Sequence, residues 1–271
     1  MVVIFPLITF LGRTFSTYGI VATIGILISG FYFCKQIRNR GLDDNDAIVF
    51  LLWVGVGVFV GGHIFFAVTK VHDFYMFKKV TSFYSFIKVF FYLFSGSVFY
   101  GGLIGGFISG CIYAKVKKLP LPLYSDIMAS ATPLFHFFGR IGCFLGGCCY
   151  GIECPIGFTV HNNPLVPALN MTCRFPVQLL ESVLNLILFL IFWNKLKKSD
   201  SKSNSKGYLF CYYLLSYAGI RFFDEFLRGD SERGFVFNNI STSQFVSLIL
   251  ILITVVILIH KNLKKEVKHM Q

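Results

Sequence analysis

FVSLILILITVVILIH, Phe245 to His260, runs without a single Asp, Glu, Lys or Arg. A helix satisfies its own backbone groups and hydrocarbon needs no polar side chains, so such a stretch reads as a membrane span. The composition extends that reading to the whole chain. Hydrophobic residues make up 55% and charged residues 14%, against about 25% charged in soluble domains. Phe occurs 33 times in 271 residues, more apolar surface than a soluble domain of that length can use. The expected fold class is an all-α integral membrane protein.

Working outward from that run, segments of about 20 residues predict seven spans. They lie at 17–34, 46–68, 97–115, 124–145, 176–194, 207–223 and 242–260. The fourth holds Asp126, Pro133, His136 and Arg140, so it is either buried among other helices or lines a polar cavity. The net charge of +12 does not point to nucleic acid, because the basic residues sit in short clusters between apolar runs. That is the pattern of cytoplasmic loops, and anionic lipid is the natural partner of any surplus. Lys35, Arg38 and Arg40, then Lys115, Lys117 and Lys118, then Lys195, Lys197, Lys198, Lys202 and Lys206, and finally Lys261, Lys264, Lys265 and Lys268 fall on one side. They are most of the 25 basic residues. The positive-inside rule then places the N-terminus outside and the C-terminus in the cytoplasm, as seven alternating spans require.

The N-terminal MVVIFPLITFLGRTF lacks a basic leader and a small-residue cleavage site, and reads as a short interfacial segment. KLKKSDSKSNSKG, Lys195 to Gly207, reads as a polar, flexible cytoplasmic linker. The stretch 70–96, rich in Phe, Tyr and Lys, reads as an amphipathic interfacial helix. No internal repeat is visible. The expected organisation is one polytopic domain over 1–271, with a small outward-facing segment around 146–175 and an outward-facing polar cavity.

Four polar clusters stand where apolar residues would carry no penalty, whereas an Arg inside a span costs about 2.5–3.5 kcal/mol on insertion scales. GRIGCFLGGCCYG, Gly139 to Gly151, combines Arg140 with glycines that permit tight turns and close backbone approach. Bare N–H groups beside a guanidinium make an anion site, and Arg grips phosphate with two prongs. Helix packing through small residues is the competing reading of its glycines. In RFFDEFLRGD, Arg221 to Asp230, the residues Arg221, Glu225 and Arg228 share one helix face. Alone they read as a self-satisfied ion-pair ladder; beside Arg140 on the same outward side they read as half of a joint site. GSVFYGGLIGG, Gly96 to Gly106, places Tyr100 before a Gly pair, which by itself is an interfacial Tyr beside a packing face. In RFPVQLLES, Arg174 to Ser182, Arg174 sits at a helix start and Pro176 suits the first turn. Gln178 and Glu181 share a face there, and Glu181 calls for a cationic partner.

Together, in this order on seven spans, the clusters resemble the bacterial prolipoprotein diacylglyceryl transferase family. Arg140, Gly142, Phe144 and Gly151 fit its G-R-x-G-N-F-x-N-x-E-x-x-G pattern. Arg221, Glu225 and Arg228 fit R-x-x-x-E-x-x-R. Arg174, Pro176, Gln178 and Glu181 fit R-x-P-x-Q-L-x-E. STYGI, with Tyr18 and Gly19, opens the first span as in the family. At Gly62-His63 the family usually has Gly-Arg. Cys143, Gly146 and Cys148 stand where the family has Asn, Asn and Glu, and Tyr100 stands where it has a His.

The resemblance implies transfer of diacylglycerol from phosphatidylglycerol to the lipobox cysteine thiol of a secreted prolipoprotein, in the inner membrane of a bacterium, with release of glycerol phosphate. It implies catalytic roles for Arg140, Arg221, Glu225 and Tyr100. It implies substrate contacts from Tyr18, Cys143, Cys148, Gln178, Glu181 and Arg228. Cationic clamps suit a phosphate leaving group. A free thiol has a pKa of about 8.5, so a base or a positive field must raise the thiolate fraction. The family often gives that task to the His or to an Arg–Glu pair. A tyrosine, with a reference pKa of about 10, suits orienting the lipid better, which leaves thiol activation to the Arg field.

No cofactor is expected. The chain has eight cysteines, and C-x4-C-C-x4-C matches no familiar zinc spacing, so no metal is expected either. The outward group Cys148, Cys149, Cys154 and Cys173 admits a disulfide whose pairing the sequence does not specify. Cys143 or Cys148 as a nucleophile lacks a visible His base. Two other readings stay open: a lipid-headgroup transferase with a different acceptor, and an inactive lipid-binding membrane protein. A transporter is disfavoured by the missing inverted repeat.

Overall fold

The computed structural model describes residues 6–10, 12–161, 163, 166–198, 207–230, 235–237 and 240–270. The centre of the expected linker, 199–206, and the first residues of the N-terminal segment, 1–5, lie outside the described residues.

The chain is helical with short β-ribbons. The main helices are α1 (Thr17–Arg38), α2 (Asp44–Thr69), α3 (Phe83–Phe94), α4 (Phe99–Val116), α5 (Leu121–Gly146), α6 (Val177–Lys198), α7 (Tyr208–Leu227) and α8 (Thr242–Met270). A helix covers each of the seven expected spans. Among the described residues, four helical segments are long and apolar enough to cross a membrane: Thr17–Arg38, Asp44–Thr69, Val177–Lys198 and Thr242–Leu263. The protein is therefore a multi-pass, all-α membrane protein, with fewer purely apolar spans than the sequence suggested. The reason is local. α5 and α7 carry the charged residues of the polar clusters, and α4 is short and rich in glycine.

Two units divide the chain, one of 1–36 and 125–271 and the other of 37–124. In the second unit, α2 and α4 pack along facing glycines. A Cβ on Gly102 would stand 3.2 Å from the Val58 carbonyl oxygen, and one on Gly105 would stand 2.9 Å from the Cα of Gly61. Small residues let two backbones approach and gain dispersion contact where lipid provides no hydrophobic drive. Ser109 Oγ donates to the Trp53 carbonyl at 2.6 Å across the same contact. GSVFYGGLIGG thus forms a packing face, with Tyr100 in the first turn of α4. The stretch 70–96 is not one helix. It forms a 3-10 helix, Val71–Lys79, and then α3, capped by Ser82, whose Oγ accepts from the Ser85 N–H at 3.2 Å.

In the first unit the N-terminal segment is a hairpin, β1 (Leu7–Phe10) and β2 (Arg13–Ser16), turning at Gly12 with φ +74°. Asp126 on α5 explains one polar residue of the fourth span. Its carboxylate accepts from the backbone N–H of Gly207 and of Phe210, each at 3.1 Å, and so satisfies the start of α7. The stretch after α5 folds into β3 (Glu153–Thr159) and β4 (Cys173–Arg174), an antiparallel pair. A further ribbon, β5 (Phe235–Phe237) and β6 (Ile240–Ser241), leads into α8.

Replacing Gly105 by Leu should destabilise the protein by about 1–3 kcal/mol through overpacking. Gly55→Leu, on α2 with open space around its Cα, should change stability little. Thermal unfolding of the two variants in detergent checks the contrast.

Candidate functional site

Three arginines and three carboxylates of the first unit form one connected ladder. Arg140, on the C-terminal half of α5, pairs with Glu181 on α6. Glu181 also lies 4.0 Å from Arg221 on α7. Arg221 pairs at 2.9 Å with Glu225 one turn on, as the spacing of four predicts. Glu225 reaches Arg228 at 4.0 Å, and Arg228 pairs with Asp230. Glu181 and Glu225 are each 2% exposed. Burying either charge alone would cost several kcal/mol, so the arginines are held only because the carboxylates are. RFFDEFLRGD forms an ion-pair ladder, and Glu181 joins that ladder to Arg140.

Hydrogen bonds fix each rung. Asn185 Nδ2 donates to the Glu181 carbonyl at 2.8 Å, and Ser182 Oγ to the Phe137 carbonyl at 3.0 Å, which ties α6 to α5 beside Arg140. Arg221 Nη2 donates to Ser243 Oγ at 3.1 Å, which brings in the first turn of α8. Gln178 is taken up structurally, donating from Nε2 to the Cys148 carbonyl at 2.8 Å.

Backbone bonds lock the three outer motifs together. Ile152 N–H donates to the Leu227 carbonyl at 2.9 Å, Gly229 N–H to the Tyr150 carbonyl at 2.9 Å and Phe175 N–H to the Ile152 carbonyl at 3.0 Å. Gly151 lies where these strands cross: a Cβ there would stand 3.0 Å from the Leu227 carbonyl oxygen. Arg174 lies over the Tyr150 ring at 4.7 Å, donates to the Gly151 carbonyl at 3.3 Å and pairs with Glu153 at 3.1 Å.

The glycines of GRIGCFLGGCCYG differ from expectation. α5 continues through Gly146, so Gly139, Gly142 and Gly146 are helical and make no turn. Gly142 serves close approach, since a Cβ on it would stand 3.2 Å from Cδ2 of Tyr18. The turn comes at Gly147, with φ +70°. Cys149, with φ +53°, then brings the chain back. The sulfurs of Cys143, Cys148 and Cys149 thereby lie within 4.8 Å of one another. Arg140 Nη1 donates to Cys143 Sγ at 3.9 Å. Hydrogen bonds from Cys143 and Cys148, reinforced by the Arg140 and Arg228 charges, hold the Cys149 thiol well below its usual range. Hydrogen bonding to Cys143 and Cys149 pushes the Cys148 thiol up. The cysteines are free thiols.

Of the residues singled out in the sequence, Arg140, Glu181, Arg221, Glu225 and Arg228 are brought together in the ladder. Tyr18, Cys143, Cys148 and Gln178 gather around the C-terminal end of α5. Tyr100 belongs to the other unit, where it is half-buried. Cys149 and Asp230 were missed. The vicinal CC pair and the RGD ending of the α7 motif were the available signals. Asp224, 2% exposed, was also missed, although at three residues from Arg221 and four from Arg228 it fits the helical spacing as well as Glu225 does.

Fold and site define the class: a multi-pass α-helical membrane protein whose helices meet at a buried arginine–carboxylate centre. Comparison with known proteins takes the assignment further. The chain belongs to the prolipoprotein diacylglyceryl transferase family, whose model matches residues 6–260. It is similar to the phosphatidylglycerol–prolipoprotein diacylglyceryl transferase of Clostridium tetani (strain Massachusetts / E88), with 33% identity over 92% of this chain and 94% of the relative. The enzyme numbered 2 under that name in Clostridium perfringens (strain 13 / Type A) is 32% identical over 89% of each chain. The one from Helicobacter pylori (strain HPAG1) is 28% identical over 92% and 91%.

Glu181→Gln should destabilise the fold by about 3–5 kcal/mol, because it leaves buried guanidinium charge uncompensated. Glu153→Gln, which breaks a pair whose Glu side chain is 68% exposed, should cost less than about 1 kcal/mol. Unfolding midpoints of the two variants measure the difference.

Proposed function

We propose that the protein transfers the diacylglyceryl group of phosphatidylglycerol to the lipobox cysteine thiol of a secreted prolipoprotein. The observation that carries this reading is the union of Arg140, Arg221 and Arg228 on one buried ladder. Family membership supplies the reaction, and the ladder supplies the charge it needs. The acceptor thiol releases its proton to solvent in the field of the arginines, and the thiolate attacks the glycerol carbon that bears the phosphate ester. A C–S bond forms, the C–O bond breaks, and its electron pair leaves on glycerol phosphate. Negative charge then grows on the leaving phosphate. Guanidinium donors already fixed by carboxylates stabilise it without reorganising.

Arg140 and Arg221 act as the phosphate clamp. Each guanidinium has five donors, more than its carboxylate partner uses. Glu225 and Glu181 position the arginines, and Arg228 extends the positive edge toward the outer loops. Tyr18, beside Gly142, contacts substrate near Cys143 and Cys148, with Gln178 holding the loop. Tyr100 orients the lipid. The chain lies in a bacterial inner membrane with seven spans, its N-terminus outside, its C-terminus cytoplasmic and the polar cavity facing outward. Membrane lipids surround it and no nucleic acid takes part.

The cysteines at 143 and 148 favour one second reading, a headgroup transferase with another acceptor. The test supplies the purified full chain in phosphatidylglycerol bilayers with a lipobox peptide. The expected outcome is a diacylglycerol mass gain on the peptide cysteine with release of glycerol phosphate. Glycerol phosphate without peptide modification would favour the second reading. Intact lipid with no product would leave the inactive lipid-binding protein. Arg140→Lys should lower turnover about 100-fold while the unfolding midpoint moves by only a few degrees.

A further inference from the structure

The trio Cys143, Cys148 and Cys149 has no part in the ladder, yet it is built with care. C-x4-C-C spans too much chain for three sulfurs to meet on a straight helix. They meet because α5 ends at Gly146 and two left-handed residues follow, Gly147 and Cys149. A non-glycine residue at positive φ is uncommon, and here it points a third thiol back toward Cys143. The Cys148 N–H bonds the Cys143 carbonyl at 3.1 Å, and Gln178 holds the Cys148 carbonyl at 2.8 Å. Both bonds pin the cysteine backbone as outer-sphere groups pin metal ligands.

The separations suit a shared ion. Sulfurs bound about 2.3 Å from one zinc ion lie about 3.8 Å apart in a tetrahedron. The three sulfurs here already lie within 4.8 Å of one another, so small rotations about Cα–Cβ would seat such an ion. A disulfide needs sulfurs about 2.05 Å apart and would leave the third thiol unused. Charge favours the ion as well. Three thiolates on a divalent metal leave one net negative charge, and Arg140 Nη1 already donates to Cys143 Sγ at 3.9 Å.

We propose that Cys143, Cys148 and Cys149 form a three-thiolate site for a divalent zinc-class metal whose open fourth position takes the acceptor's thiol. The proposal rests on the transfer reading above and gives it a thiol-activating group. Metal binding releases to solvent whatever protons the three thiols still hold. The incoming lipobox thiol gives its proton to solvent on binding, because a coordinated thiol is deprotonated outright. Its sulfur then attacks the glycerol carbon, and the electron pair of the broken C–O bond leaves with glycerol phosphate. Three protein ligands with one open position is the arrangement of catalytic zinc, and a closed set of four is that of structural zinc. Cys143 is buried while Cys148 and Cys149 are half-exposed, so the open position faces the accessible side.

The test uses the full chain purified under reducing conditions in phosphatidylglycerol bilayers, with zinc and cobalt(II) as probes. One equivalent of zinc should bind. Cobalt should give sulfur-to-metal charge-transfer bands that strengthen with a lipobox Cys peptide and not with its Ser counterpart. Cys149→Ser should lose the metal and Cys173→Ser should keep it. Three reactive thiols with no zinc retained and no cobalt–sulfur bands, or a disulfide within the trio, would overturn the proposal. So would undiminished peptide modification by metal-free protein, which would leave the transfer reading standing. Peptide-dependent cobalt bands without any product would uphold the metal site and refute the transfer reading.

Discussion

Glu181 is the constraint on which the first unit depends. It is a carboxylate at 2% exposure, shared between Arg140 and Arg221. In a medium with little water, neither the acid nor the arginines can stand unpaired. The pairing therefore dictates that α5, α6 and α7 converge at one level. The guanidinium donors are held at that level, and Arg221 brings Ser243 on α8 to it. Well-packed hydrophobic residues often replace a buried ion pair without loss of stability, but they would hold no charge ready for an anion. The polar centre is better explained by chemistry than by stability.

A second constraint is the crossing of backbones at Gly151. There the segment after α5, the start of α6 and the end of α7 exchange main-chain bonds. Main-chain bonds set distances more tightly than long side chains do. Arg228 and the cysteine loop are therefore held relative to each other by peptide groups, and the ladder inherits that rigidity. Rigid supports are what preorganised electrostatic stabilisation requires.

Much of this was legible in the sequence. The helical segments followed from apolar runs, and the pairing of Arg221 with Glu225 followed from a spacing of four. That Glu181 needed a cation was clear from its place in a span; which arginine it would meet was not, because that depends on how three helices pack. The same limit hid Asp126, whose partner is the start of α7. The cysteines were opaque for another reason. Their meeting depends on left-handed φ at Gly147 and Cys149, and only the first of these is a residue that advertises it. The stretch 70–96 has amphipathic composition throughout, yet it breaks after Lys79, where Ser82 supplies a fresh helix cap. Apolar content overstated the number of purely apolar spans for a physical reason: the site's charges are carried by the helices that surround it.

The central claim is that buried, carboxylate-paired arginines bind the phosphate that leaves. Calorimetric titration of glycerol phosphate onto the wild type and onto Arg221→Lys tests it most directly. A charge-assisted hydrogen bond contributes about 1.5–3 kcal/mol, so the Lys variant should bind about 10–100-fold more weakly. Equal affinity in a variant that remains folded would contradict the claim and place the phosphate elsewhere.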